Sequence, residues 1–227
     1  MAEVHLGLVV VAAGRGERLG RDKVWESLGG EPVVARALAA LAVPPVERVA
    51  LVVAAARLAD GQALARRLAL PAVAVLGGAR RQDSVRNGLL ALGPCAWVAV
   101  HDAARPFATR EILLRTLAAA QHTGAAVAAV PVVDTIKRVA GGLVVETLPR
   151  GELWAVQTPQ VFRGELLARA HREQTGDATD DAALVERCGV AVGVAEGAYD
   201  NIKITTPDDL ALAAWRWRRR AGKRTVE

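Results

Sequence analysis

The chain has 227 residues, 52% of them hydrophobic, and a formal net charge of +5. That length suits one large α/β domain with a substantial core, and no run approaches the ~18 uncharged apolar residues of a membrane span. Six cations near the C-terminus, Arg216, Arg218, Arg219, Arg220, Lys223 and Arg224, less Glu227, give the whole +5, so the remainder is close to neutral. The basic segment reads as a solvated, frayed tail, and one Tyr with two Phe offers little for stacking bases, so nucleic acid is not an expected partner. The N-terminus lacks the basic flank of a signal peptide. Cys95 and Cys188 stand alone, without metal or redox spacing, and read as buried thiols in a reducing cytoplasm.

An apolar strand, Leu8–Val11, empties into the Gly-rich, cationic loop AAGRGERLGRDK. A buried strand feeding such a loop is how open α/β sheets present a phosphate site. The spacing fits neither a dinucleotide fingerprint, since Leu19 stands where the third glycine would be, nor a Walker A loop, since no Gly-Lys-Ser/Thr follows. A helix opens at Pro32, followed by a strand at Val49–Val53, a helix around Leu58–Leu68 and a strand at Val73–Leu76. Gly77-Gly78 turns into a helix over Gln82–Leu92, and a strand at Trp97–Val100 runs into HDAARP. A helix over Arg110–Gln121 and a strand over Ala125–Val130 complete an alternation that predicts a parallel sheet covered on both faces. The rhythm then breaks. Asp134–Arg138 and Leu143–Thr147 flank Gly141-Gly142 as a hairpin with nothing of its own to pack on, so it should lie on another surface, plausibly a second subunit. Helices near Gly164–Glu173 and Asp180–Cys188, strands at Val190–Val194 and Asn201–Ile204, and a last helix capped by Thr206 follow. No linker or internal repeat divides the chain.

Asp102 leaves the end of a buried strand, where a carboxylate can hold Mg²⁺ against phosphate oxygens; it can equally cap a helix or pair with Arg105. His101 reads as structural, because no second His stands at metal-site spacing. The loop GGARRQDS can read a base or ribose, or simply start a helix capped by Asp83 or Ser84.

Taken in order, AAGRGERLG, Lys23, GGARRQDSV, VHDAARP, PVVDTIKR, LWAVQTPQVF, TDDA and DNIKIT resemble the 2-C-methyl-D-erythritol 4-phosphate cytidylyltransferases, from about residue 6 to 212. The resemblance implies a Rossmann-like α/β fold, a mostly parallel sheet flanked by helices, in one nucleotidyltransferase domain over 1–227. A β-arm at about 132–154 would protrude for dimerisation. It implies a cytoplasmic, Mg²⁺-dependent homodimer that joins CTP to a sugar-alcohol phosphate, releasing pyrophosphate by in-line attack on the α-phosphorus. By resemblance, Arg18 and Lys23 stabilise the transferring and leaving phosphates. Ala12, Ala13, Gly14, Arg15, Gly16, Gly77, Gly78, Ser84, Ala103 and Lys203 hold the nucleotide. Asp102 meets Mg²⁺ or the acceptor hydroxyls. Arg105, with Thr135 and Arg150 carried by the partner's arm, holds the acceptor. Thr158 and Thr147 are secondary candidates. Where the family commonly has Pro-Lys-Gln, this chain has Asp22-Lys23-Val24, and Asp22 is placed to draw off lysine charge. The alternatives are a ribitol-5-phosphate cytidylyltransferase on the same nucleotide loops, or a nucleotide-binding protein without turnover.

Overall fold

The uncharged run Leu6–Ala12 makes β1, buried on both faces as a central parallel strand requires. The computed structural model describes residues 5–14, 22–174 and 176–224, with 221–224 as backbone. After β1 come β2 (Ser27–Leu28) and β3 (Glu31–Pro32), a minimal hairpin, then α1 (Val33–Leu41), β4 (Val46–Val53), α2 (Leu58–Arg66), β5 (Ala72–Leu76), α3 (Arg81–Leu92) and β6 (Trp97–Asp102). The second half holds α4 (Arg110–Thr123), β7 (Ala125–Pro131), β8 (Lys137–Ala140), β9 (Leu143–Thr147), β10 (Trp154–Arg163), α5 (Gly164–Glu173), α6 (Asp181–Arg187), β11 (Gly193–Glu196) and α7 (Pro207–Arg224).

Among the described residues one sheet contains seven strands in the order β11-β7-β10-β6-β1-β4-β5. The chain steps outward from β1 to β4 and β5, then returns to place β6 on the other side of β1. The reversal makes the β1–β6 junction the topological switch point, where open sheets leave a crevice. Strand alternation divides the core: Leu8 and Val10 pack under Leu38 and Leu113 on one face, while Val9 packs with Val85, Leu167 and Leu184 on the other.

The sheet is mostly parallel, as expected, with one strand that the β-α alternation does not announce. β10 lies between β6 and β7 and runs antiparallel to both. Its ladder breaks between Val156 and Gln160, so the run around Gln157, Thr158 and Pro159 has no regular hydrophobic period to announce a strand. The Asn201–Ile204 segment forms no strand; Asn201 spends its side-chain amide on Gln157 and Thr158 instead. The predicted Val190–Val194 strand begins at Gly193, and the arm's first strand begins at Lys137. Cys95 and Cys188 are free thiols but only half-buried.

The arm is as the sequence predicts in one respect: β8 and β9 pair only with each other, closed by Gly141 and Gly142 at φ +57° and +79°. The basic C-terminal stretch is not frayed over 216–220. Thr206 caps α7 by accepting from Asp209 N–H at 3.2 Å, and Trp217 stacks near Phe107 with the Arg36 guanidinium 4.2 Å above its ring.

Candidate active site

A cleft of about 410 Å³ opens where β1 and β6 end, at the point where Val11 pairs with Asp102. Ala12, Ala13 and Gly14 form one wall; Gly78 to Arg81 and Ser84 form the other; Asp102 and Ala104 lie between, with Lys23 and Lys203 at the rim. The two loops touch. A Cβ on Gly77 would stand 2.3 Å from the Ala13 Cβ, so only glycine lets the second loop close against the first. Ser84 Oγ accepts from Gly78 N–H at 3.0 Å and donates to the Arg80 carbonyl at 3.1 Å, while the Asp83 carboxylate accepts from Arg80 N–H at 3.2 Å. The loop is thereby fixed to the first turn of α3.

Asp102 sits at the centre of the charge pattern. Lys203 Nζ lies 2.6 Å from its Oδ2 and Arg81 Nε 3.2 Å from its Oδ1. Burial alone would raise the Asp102 pKa, but Arg81 and Lys203 outweigh it and hold the carboxyl well below the usual carboxylate range. Lys203 owes its position to buried neighbours. Asn201 Nδ2 donates to Gln157 Oε1 and to the Thr158 carbonyl, both at 3.0 Å, and buried Ile204 donates its N–H to the Ala104 carbonyl at 2.9 Å.

Beneath Asp102 lies a neutral relay. His101 is fully buried, and burial pushes it down to about 4. Its Nε2 faces the Arg105 carbonyl at 3.1 Å and must carry the proton, so Nδ1 accepts from the Thr158 hydroxyl at 3.0 Å. That hydroxyl in turn accepts the Asp102 N–H at 3.1 Å. Thr158 therefore links β10 to the end of β6 through both hydrogen bonds of its hydroxyl.

A second cleft, about 310 Å³, lies beyond Asp102 and is lined by Arg105, Val156, Thr158, Gln160 and Asp180. Arg81, Asp102 and Lys203 line both clefts. Burial lowers the Arg105 pKa against the pull of Asp102, and its Nη1 donates to the Asn201 carbonyl at 2.7 Å.

The family model for 2-C-methyl-D-erythritol 4-phosphate cytidylyltransferase (IspD) matches residues 6–219. The chain belongs to that family. The cytidylyltransferase of that name from Dehalococcoides mccartyi is 45% identical over 213 residues, covering 92% of this chain and 94% of its own. Among solved structures, 4-diphosphocytidyl-2C-methyl-D-erythritol synthase from Anaerococcus prevotii superposes with a TM-score of 0.85 at 28% identity, covering 95% of this chain and 99% of that one. The Thermus thermophilus cytidylyltransferase matches at 36% identity and TM-score 0.76, covering 92% and 98%.

Within this cytidylyltransferase fold the residues singled out by sequence divide into groups. Ala12, Ala13, Gly14, Lys23, Gly78, Ser84, Asp102 and Lys203 gather around the first cleft, and Gly77 backs it. Ala103 does not face it: its side chain is in the core and its N–H is spent on the Val11 carbonyl, leaving Ala104 as the lining residue. Arg105 belongs to the second cleft. Thr135 and Arg150 lie on the exposed arm and line neither, Arg150 donating to the Val133 carbonyl at 2.8 Å. Arg15, Gly16 and Arg18 fall outside the described residues. Asp22 accepts from Arg57 Nε at 3.1 Å, so its charge is met by a residue far along the chain. Arg81 was missed as a site residue although it stands in GGARRQDSV. Its signal was electrostatic: a cation opening a helix sits at the positive end of the dipole and needs carboxylates to hold it there.

Asp102 is the one carboxylate lining the first cleft among the described residues, which hold no group of three or more metal-ligating side chains. That donor set fits Mg²⁺, an ion that takes one or two carboxylates and draws its other ligands from substrate phosphates and water.

Proposed function

We propose that the chain transfers the cytidylyl group of CTP to 2-C-methyl-D-erythritol 4-phosphate, a step in isoprenoid precursor synthesis. The observation that carries the reading is the wall shared by the two clefts: one carboxylate, Asp102, flanked by Arg81 and Lys203. A donor nucleotide in the larger cleft and an acceptor in the smaller one would meet at that wall. A phosphate oxygen of the acceptor attacks the α-phosphorus, the bond to the bridging oxygen of the β-phosphate breaks, and pyrophosphate leaves. The chemistry calls for alignment and charge neutralisation rather than a covalent nucleophile. Lys203, which lines both clefts, and Lys23, which lines the first, are the cations we assign to the charge that builds on the α-phosphate and the departing pyrophosphate. Arg18 is assigned the same role by family resemblance. The backbone of Ala12–Gly14 and of Gly78, with Ser84, cradles base, ribose and phosphates.

Asp102 is the residue that would hold Mg²⁺, which when bound neutralises triphosphate charge. In the working enzyme a homodimer brings Thr135 and Arg150 of each arm to the acceptor side of the other subunit. The support is the arm's exposed apolar surface: Val139, Leu143, Val144 and Val145 are 57%, 73%, 61% and 53% exposed. No described helix is long and apolar enough to cross a membrane. We assign the enzyme to the cytoplasm, where its free thiols stay reduced.

Pyrophosphate release from CTP and Mg²⁺ tests the reading, with methylerythritol phosphate or ribitol 5-phosphate as acceptor. Release with the first alone is expected. Release with ribitol 5-phosphate alone, or with neither from folded protein that binds CTP, overturns it.

A further inference from the structure

Behind the wall shared by the clefts runs a chain of alternating charges that reaches into a different layer of the fold. Arg81 spans two carboxylates: its Nε is 3.2 Å from Asp102 and its Nη1 is 2.7 Å from Asp181 Oδ2. The other Asp181 oxygen faces His171 Nε2 at 3.0 Å. Asp181 belongs to α6 and His171 to α5, and both side chains are buried, Asp181 completely. Asp181 lines neither cleft.

A buried carboxylate costs the fold more than an apolar side chain of similar size, so its presence needs a reason. Starting α6 is not the reason. Asp180 already caps that helix, accepting from Ala183 N–H at 2.9 Å. Nor is Asp102 enough to hold Arg81, because Lys203 shares that carboxylate at 2.6 Å. The Arg81 head also opens α3, where the helix dipole repels it. With only half a carboxylate, it would be free to turn away from Asp102 and into the cleft.

We infer that Asp181, from outside both clefts, is a positioning residue for the transfer: it anchors one arm of the Arg81 fork so that the other arm holds Asp102 between donor and acceptor. His171 orients Asp181 by occupying its second oxygen. The planar guanidinium bridges two carboxylates along fixed directions, which a lysine ammonium cannot do. The inference rests on the cytidylyl-transfer reading and extends it to α5 and α6, which contact no substrate in that reading.

The test is steady-state pyrophosphate release by the full chain with CTP, methylerythritol phosphate and Mg²⁺, with active enzyme counted by CTP titration. Asp181→Asn is expected to lower kcat by about 10- to 100-fold, the usual cost of misplacing a reacting group from a distance. Both KM values should stay within about three-fold, the pattern of an interaction that matters in the transition state. Asp181→Glu, which restores the charge, should recover a large part of the lost kcat. Should Asp181→Asn fail to fold, His171→Leu carries the test, because it removes the partner of the second Asp181 oxygen and leaves both clefts untouched; a loss in kcat of more than about three-fold with little change in either KM is expected. The inference is overturned if the folded variant keeps kcat within about three-fold of wild type, or if only the KM values rise. Absence of turnover in the wild-type chain would instead strike at the function itself.

Discussion

Replacing Thr158 by valine keeps the shape of a buried side chain and removes one oxygen. That oxygen is the meeting point of two buried groups, the Asp102 N–H at 3.1 Å and His101 Nδ1 at 3.0 Å. His101 cannot compensate by changing tautomer, because its Nε2 proton is committed to the Arg105 carbonyl. Nor is protonation cheap at a fully buried ring. Both groups are left without partners, at about 1–3 kcal/mol each, or roughly 2–6 kcal/mol together. For a chain of this size each kcal/mol moves the melting temperature by about 2–4 °C, so Thr158→Val should melt roughly 4–24 °C below wild type. Thr158→Ser keeps the hydroxyl and loses only a methyl, and should lose less than half as much. Calorimetry on the three proteins decides it. A Val variant melting within about 2 °C of wild type, or a Ser variant as unstable as Val, would show that the relay is not what secures the end of β6.

The same relay predicts a pH dependence. The His101 pKa falls from 6.5 to about 4 on folding, so between those values the unfolded chain takes up a proton that the folded chain refuses. Stability should therefore decline as pH falls through this window, by up to about 3 kcal/mol in all. Above about pH 5 the depressed carboxylates Asp102 and Asp181 are ionised in both states and add nothing, so urea titrations at about pH 5 to 7 read the histidine without them. A flat stability profile there would contradict the buried neutral ring. The arm supplies a further prediction: Leu143→Glu with Val145→Glu, on one face of β9, should shift sedimentation from dimer to monomer and raise the acceptor KM by about ten-fold or more. A dimer that persists with unchanged kinetics would remove the arm from the proposal.

Much of the architecture was legible locally. Leu8–Val11, Val49–Val53 and Trp97–Val100 announce themselves as buried strands because parallel strands covered on both faces need continuous apolar runs. Gly141-Gly142 announces the hairpin because the turn needs two residues at positive φ. Thr206 marks its helix as a cap does. β10 escaped because Gln157, Thr158 and Pro159 interrupt its pattern, and they do so for contacts made elsewhere in the fold. Asn201–Ile204 misleads in the opposite sense: Ile202 and Ile204 alternate with polar residues as in a strand, but the segment is buried at Asn201 and Ile204 and seats Lys203 between them.

The sequence alone determined the fold class, the two glycine-bearing loops and the identity of most cleft residues, since these follow from local periodicity, turn chemistry and motif order. Tertiary structure alone decided which charges meet. Arg81 and Asp181 are 100 positions apart, and Asp102 and Lys203 are 101 apart. No local rule pairs residues at such separations. They meet because the strand order reverses beside β1, carrying the ends of α3, β6, α6 and the Asn201–Ile204 loop to one place.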